Sequence, residues 1–335
     1  MQQSPAVFRC AEKSFAATGL SELSLRFTVQ SNKTNPTDTF VRNLNQDTIT
    51  QAVIARFAHT PDPRLKDILT SLVQHLHAFA REVKLTEGEW LQGIQFLTAT
   101  GQKCDDKRQE FILLSDTLGL SMLTVAMNND KPQGCTEATV FGPFHVEGAP
   151  HYAHGDDVAN GAKGEPCLVR GSVKGLDGQA VANAVIDVWQ ADADGNYDVQ
   201  YQDHKAQGLD LAQHRARGVL TSGEDGCFHF KTIVAEPYPI PDDGPVGDML
   251  RATHRHPWRP AHLHFMIKAE GYETLVTHVF RDGDPYLDSD AVFGVRQSLV
   301  AEWLQRPDGS FSLDYDFVLN PVAPITATAT ATTDP

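Results

Sequence analysis

The sequence predicts an α+β protein, an N-terminal helical domain followed by an antiparallel β-sandwich. Two changes of pattern carry this. From Thr48 to about Asp130 apolar residues recur at three- and four-residue steps, the helical period. From Glu137 to Pro321 they alternate instead, with Gly and Pro between the runs. Many short alternating runs with turn residues between them indicate a sandwich. A length of 335 residues suits roughly two domains of ~150 each. The expected divisions are an extension over 1–40, a helical domain over 41–135, the sandwich over 136–322 and a disordered tail over 323–335.

In chain order, residues 1–40 are weakly patterned and leave through Ser31-Asn32-Lys33-Thr34-Asn35. Leu65, Ile68, Leu69, Leu72, Val73, Leu76, Phe79, Ala80 and Val83 predict an amphipathic helix that starts near Pro61 to Pro63. Thr86-Glu87-Gly88-Glu89 spells a capping box and opens a second helix containing Trp90, Leu91, Ile94, Phe96 and Leu97. A further helix is expected from Lys107 through Phe111, Leu114, Leu118 and Leu123 towards Met127, stopped by Asn128-Asn129-Asp130. In the second half, 167–173, 184–189, 227–233, 263–267 and 275–280 read as strands. Asp225-Gly226 and Glu270-Gly271 supply turns between neighbours. The Thr/Ala repeat after Ile325 is low-complexity.

Composition excludes some classes of function. Apolar residues make up 41% and charged residues 21%, as in ordinary globular proteins. A net charge of -15 argues against a nucleic-acid binder, which needs a basic face. Cys10, Cys104, Cys135, Cys167 and Cys227 are odd in number and scattered, which fits reduced thiols in a cytoplasm. No run approaches the ~18 apolar residues of a membrane span, and no compact apolar signal segment opens the chain.

His262 and His264 are two apart and lead into Phe265-Met266-Ile267. On a strand they share a face, so both imidazoles aim at one point. A bare His-x-His is a weak signal. Its place in an apolar strand right after Arg259-Pro260 strengthens it, because a buried polar pair needs a partner. His254 and His256, among Arg251, Arg255 and Pro257, read as solvated loop. Two imidazoles are half a metal site, and the residues leave its completion open. Asp187, Asp192, Asp194, Asp198, Asp242 and Asp243 are possible, as are Tyr197 and Tyr238 in sharp turns. Cysteine is a poorer candidate, although Cys227 falls on a neighbouring strand.

Three spaced motifs in order carry a resemblance. Trp189-Gln190-Ala191-Asp192 leads to Gly195-Asn196-Tyr197, then comes Pro237-Tyr238-Pro239-Ile240-Pro241, then Arg259-Pro260-Ala261-His262-Leu263-His264. Together they resemble the intradiol ring-cleavage dioxygenases, non-haem ferric enzymes that open catechols between the two hydroxyls. The likeness runs over roughly residues 45 to 320. It implies a catalytic sandwich domain and one Fe(III) per subunit held by Tyr197, Tyr238, His262 and His264. It also implies that Tyr238 leaves the metal to take a substrate proton, and that Arg259 stabilises charge developing on the ring. Donor chemistry agrees with that set. Phenolate oxygen is a hard anionic ligand suited to Fe(III), whereas zinc takes Cys, His and carboxylate. A phenol with a pKa of about 10 needs a cation to displace its proton.

Finer marks resemble the hydroxyquinol-cleaving branch of that family. These are Thr139-Val140-Phe141-Gly142-Pro143-Phe144, the stretch Pro285 to Val295, and Leu113 to Asp116. The implied pocket comprises Leu113, Asp116, Val140, Phe141, Gly142, Pro143, Phe144, Ile240, Pro241, Arg259 and His278. His278 stands where catechol-cleaving relatives often carry a glutamine, a departure that bars copying the glutamine's role. Asp116 lies between apolar helical residues, where a buried carboxylate requires a partner such as a third substrate hydroxyl. The implied reaction joins a small aromatic diol or triol with O2 and yields 3-hydroxy-cis,cis-muconate and maleylacetate. The expected assembly is a homodimer joined through the helical domain, which could also hold lipid. Weighed beside this are a catechol or chlorocatechol 1,2-dioxygenase, a zinc hydrolase using His262, His264 and Asp187, and a non-catalytic transthyretin-like binding module.

Overall fold

The computed structural model describes residues 43–105, 108–203 and 214–322; the extension over 1–40 and the tail over 323–335 lie outside the described residues. The chain divides into two compact units, one ending at Thr86 and the other beginning at Glu87.

The first unit holds α1 (Ile49–Ala55) and α2 (Pro63–Glu82). The Asp62 side chain accepts from the amides of Arg64 at 2.8 Å and Leu65 at 3.2 Å, and Pro63 fills a position whose amide is not needed. Arg81 Nε donates to Gln46 O at 2.9 Å, and Thr50 Oγ1 lies 3.0 Å from His77 Nδ1, which fastens α1 to α2. Ile68, Leu72, Leu76, Phe79 and Val83 form the expected apolar stripe, and it is exposed.

The second unit opens with α3 (Glu87–Lys103), α4 (Glu110–Thr117) and α5 (Leu120–Asn128). The single helix expected from Lys107 to Met127 is thus two helices, bent by 78° at the break. Gly119 stands there with φ +75, a left-handed conformation that costs a residue without Cβ little. The apolar period runs through the break, so the pattern alone hides it. Buried Glu110 accepts from the Val246 amide at 3.1 Å and from Arg108 Nε at 2.8 Å, anchoring the start of α4. No single helix among the described residues is long and apolar enough to cross a membrane.

The strands are β1 (Pro166–Gly175), β2 (Val185–Gln190), β3 (Arg217–Thr221), β4 (Cys227–Ile233), β5 (Tyr238–Pro239), β6 (Trp258–Arg259), β7 (His262–Lys268), β8 (Leu275–Arg281), β9 (Val300–Ala301), β10 (Trp303–Gln305), β11 (Phe311–Asp314) and β12 (Phe317–Leu319), with α6 (Pro245–Ala252) between β5 and β6. One sheet runs β10-β11-β1-β12 with β4 also on β1, and the other runs β3-β2-β7-β8-β9. Pairing is antiparallel except for β1 with β11, β1 with β12, and β8 with β9. The Glu270-Gly271 turn joins paired strands as expected. The Asp225-Gly226 turn does not: β3 pairs with β2 and β4 with β1, so that turn carries the chain from one sheet to the other.

Strand alternation decides where the chemistry can sit. Val169, Val173, Phe228, Phe230, Leu313 and Phe317 meet Ile186, Val188, Leu263, Phe265, Ile267 and Val279 in the sandwich core. On β7 the alternate residues His262, His264 and Met266 therefore face the other way. Register sets Trp189 of β2 and His278 of β8 on either side of His264. This outer face is covered by a second apolar cluster that includes Met122, Val140, Tyr197, Tyr238, Ile240 and Met266.

Candidate active site

Two turns deliver the tyrosines. Asp192 Oδ1 accepts from the amides of Asp194 at 2.9 Å and Asn196 at 3.1 Å and shapes the first turn. Gly195 has φ +75, and a Cβ there would stand 3.3 Å from Tyr238 Cβ, so only glycine lets the two tyrosine loops come this close. Asp198, next to Tyr197, is tied to buried Arg217 with Nε to Oδ2 at 3.0 Å. Tyr238 is paired in register with Arg259 in the β5–β6 ribbon.

Tyr197, Tyr238, His262 and His264 converge. Tyr197 Oη lies 2.9 Å from His264 Nε2 and 3.4 Å from His262 Nε2, and the two Nε2 atoms are 3.1 Å apart. The Tyr197 and Tyr238 rings are edge-on at 5.3 Å. His262 Nδ1–H donates to Pro260 O at 2.7 Å, which leaves the Nε2 lone pair directed at the cluster. Trp189 stacks on His264 at 4.6 Å and Phe144 on Tyr197 at 4.3 Å, closing the group off from water. Burial, then the Arg259 charge, pulls the His262 pKa down to about 3. Burial and then His278 hold His264 well below its ordinary value. Both rings are therefore neutral donors at pH 7. Burial, with Tyr238 adding, pushes the Tyr197 phenol well above its ordinary value. A phenolate there requires a cation, and the two Nε2 atoms 3.1 Å apart are close enough to share one. The donor set fits a bound metal ion.

His278 is the third imidazole of a group whose ligand atoms lie within 4.8 Å of one another. Its ring stacks on His262 at 4.6 Å and meets His264 edge-on at 4.1 Å. It is fully buried, and neither nitrogen makes a well-formed hydrogen bond; a weak contact to the Val140 backbone is its polar company. Burial, then His262 and Arg259, keep it neutral.

Arg259 is 2% exposed, and its Nη1 lies 3.4 Å from both Tyr238 Oη and His262 Nε2. Burial opposes its charge, but Asp290, Tyr238 and Tyr197 outweigh that and raise its pKa. Its partner Asp290 is the residue that sequence reasoning missed. Nε donates to Asp290 Oδ1 at 3.0 Å and Nη2 to Oδ2 at 3.2 Å. Burial works to raise the Asp290 carboxyl, but Arg259 and the Val292 and Gly294 amides hold it below the usual carboxylate range. A buried arginine demands an anion, and Asp290 was in view inside Pro285 to Val295, but nothing local ties it to Arg259. Trp189 is legible in the sequence as a motif residue, but its stacking on His264 is set only by strand register.

Of the expected pocket, Leu113, Val140, Phe144 and Ile240 pack in one cluster with the two tyrosines. A Cβ on Gly142 would stand 3.2 Å from His264 Cε1. Phe141 lies 5.8 Å from Trp189 but is 43% exposed, and Pro143 and Pro241 are exposed. Asp116 is half-buried on α4. Burial raises its pKa against Ser121 and the attraction of Arg259, with Asp290 adding to the rise, so it sits in the field of the buried ion pair. The alternative carboxylate ligands are occupied elsewhere. Asp187 lies 3.6 Å from His145 Nε2, Asp194 pairs with Lys163, Asp198 with Arg217, Asp242 with Arg251, and Asp243 with Lys103. Cys227 is exposed, His254 is exposed, and His256 Nε2 is bonded to Ser289 Oγ at 2.9 Å.

Comparison with known proteins gives the family. A family described as "Dioxygenase" matches residues 140–321, and one described as "Catechol dioxygenase N terminus" matches residues 62–136. The chain is 73% identical to a 6-chlorohydroxyquinol 1,2-dioxygenase of Cupriavidus pinatubonensis, over 84% of this chain and 99% of the relative. It is 54% identical to a hydroxyquinol 1,2-dioxygenase of Nocardioides simplex, over 78% and 87%. The crystal structure of a hydroxyquinol 1,2-dioxygenase from Pseudomonas putida DLL-E4 is similar with a TM-score of 0.77 at 49% identity, covering 83% of this chain and 99% of that one. Neither a zinc hydrolase nor a non-catalytic binding module is compatible with these matches. With a buried histidine cluster that could hold a metal ion on the outer face of its second sheet, the chain belongs to the intradiol ring-cleavage dioxygenases.

Proposed function

We propose that this chain cleaves hydroxyquinol with O2 to 3-hydroxy-cis,cis-muconate, which tautomerises to maleylacetate, using one Fe(III) per subunit held by Tyr197, Tyr238, His262 and His264. The observation that carries the reading is Asp116, a half-buried acid in the field of Arg259 and Asp290 whose side-chain hydrogen bond is to Ser121. Its carboxyl suits a third ring hydroxyl that catechol lacks. The names of the relatives support the same substrate class. A second reading, a 6-chlorinated hydroxyquinol, is favoured by the name of the Cupriavidus relative.

Bound by these donors, Fe(III) supplies Lewis acidity to the diol and a route for electron density from the ring to O2. The chain does the rest. Tyr238 Oη takes a proton from the entering substrate hydroxyl. Arg259 Nη1, fixed 3.4 Å from that oxygen, donates to the charge that develops on the ring. Leu113, Val140, Phe144 and Ile240 keep the ring in an apolar setting, with Phe141, Gly142, Pro143 and Pro241 along the rim. His278 offers unpaired nitrogens beside the ligands. Trp189 and Phe144 exclude water, so Arg259 acts in a low dielectric.

The exposed apolar residues of α2, with Trp90, Leu91, Ile94 and Leu97 of α3, support a homodimer joined through helices, with lipid as a further occupant of those faces. Reduced free thiols at Cys104, Cys135, Cys167 and Cys227 suit a cytoplasmic enzyme. The substrate is tested by product analysis with hydroxyquinol, 6-chlorohydroxyquinol, catechol and chlorocatechols offered side by side. Maleylacetate or its chlorinated counterpart as the main product is expected; preferential cleavage of catechol overturns the assignment.

A further inference from the structure

The buried ion pair behind the metal donors is built more firmly than charge neutralisation needs. Arg259 has three nitrogens, and Asp290 engages two of them in a bidentate pair, through Nε at 3.0 Å and Nη2 at 3.2 Å. The third, Nη1, is the edge left facing Tyr238 and His262. The carboxylate is itself held. Oδ1 accepts from the Val292 amide at 3.2 Å, and Oδ2 from the Gly294 amide at 2.8 Å. Thr139 Oγ1 donates to Gly294 O at 2.9 Å and fixes the end of the loop. Gly294 matters for its size. A Cβ there would stand 2.8 Å from Arg259 Nη2 and 3.1 Å from Asp290 Oδ2. The loop backbone thus touches the guanidinium on the side away from the site.

From this geometry we infer that Asp290, held by the Val292 and Gly294 amides, is a positioning residue that sets the direction of Arg259 Nη1 and hence the rate of ring cleavage. At the reacting ring, the effect of Asp290 is carried by Arg259. A planar guanidinium gripped along one edge has a single orientation, and misplacement by a fraction of an ångström weakens a donor aimed at developing charge. Removing the carboxylate charge, or wedging a methyl group between loop and guanidinium, disturbs the same atom by different means.

The inference rests on the reading that Arg259 faces the reacting ring, and the experiment separates the two. Asp290→Asn, Gly294→Ala, Arg259→Ala and the double variant Asp290→Asn/Arg259→Ala are compared as iron-loaded enzymes. The readouts are iron content, the resting visible spectrum, kcat per bound iron, and Kd from anaerobic titration with hydroxyquinol. Asp290→Asn and Gly294→Ala are each expected to lower kcat per iron at least about tenfold, with the resting spectrum kept and Kd changed less than kcat. In the Arg259→Ala background, Asp290→Asn is expected to change kcat less than about twofold, because the group it positions is gone. Additive losses in the double variant overturn the inference. So do single variants that lose iron or thermal stability while kcat per iron stays at the wild-type value. If Asp290→Asn does not fold, Gly294→Ala decides alone, since it keeps the ion pair and displaces it. If Arg259→Ala itself turns over normally, the reading of Arg259 fails first.

Discussion

Replacing Asp116 tests the substrate account where it is most exposed. The carboxyl is half-buried on α4, and burial raises its pKa despite Ser121 and Arg259. On the proposed reading, the third hydroxyl of bound hydroxyquinol is a partner of Asp116 beyond Ser121; with catechol bound, the lone pairs that would meet it are left unmet. A buried polar group left unpaired costs about 1–3 kcal/mol. At about 1.4 kcal/mol per factor of ten, that is roughly 5- to 150-fold in the ratio of kcat/KM for hydroxyquinol over catechol. Because Asp116 keeps some contact with solvent, the lower part of that range, about tenfold, is expected. Asp116→Ala should lose most of this ratio, chiefly through slower hydroxyquinol turnover, and Asp116→Asn, which still bonds a hydroxyl, should keep part of it. The assay is competition between the two substrates in one vessel, normalised to bound iron. If both variants keep the wild-type ratio, Asp116 does not read the third hydroxyl.

Two other outcomes are expected. Light scattering at micromolar concentration should give a homodimer, and polar substitutions at Leu72 and Leu76 of α2, both exposed, should weaken it without loss of iron; a monomeric wild type would count against the helical interface. His262 titrates near 3 in the folded protein against about 6.5 when unfolded, so the unfolded chain binds more protons between those values. Stability of the metal-free protein should therefore be full above about pH 6.5 and fall as the pH drops below it, with His264 and His278 adding in the same direction. Urea midpoints measured from pH 7 to pH 5 read this, and a flat profile would contradict it.

Much of the architecture was legible because it depends on local pattern. The start of α2 is written in Asp62-Pro63, and β4 covers the expected residues 227–233. The bend at Gly119 was not legible, because Leu118 and Leu120 continue the apolar period across it. Nor were β3 and the short strands β9 to β12, whose pairing partners lie far away in sequence. In the site, alternation alone put His262 and His264 on one face. The two tyrosines needed the resemblance, since nothing local distinguishes Tyr197 or Tyr238 from an aromatic in a turn. Asp290 was hidden for a related reason. It lies 31 residues from Arg259 and meets it only through the fold. His278 was visible as an unusual residue, and only strand register sets it opposite His264.

The central claim is that Tyr197, Tyr238, His262 and His264 hold a ferric ion. It is tested most directly by metal analysis and visible absorption of the purified protein beside its Tyr197→Phe variant. The account predicts about one iron per chain and a phenolate-to-Fe(III) charge-transfer band, much of which the variant loses while keeping iron held by Tyr238 and the two histidines. A colourless wild type that contains no iron and still cleaves hydroxyquinol would contradict it.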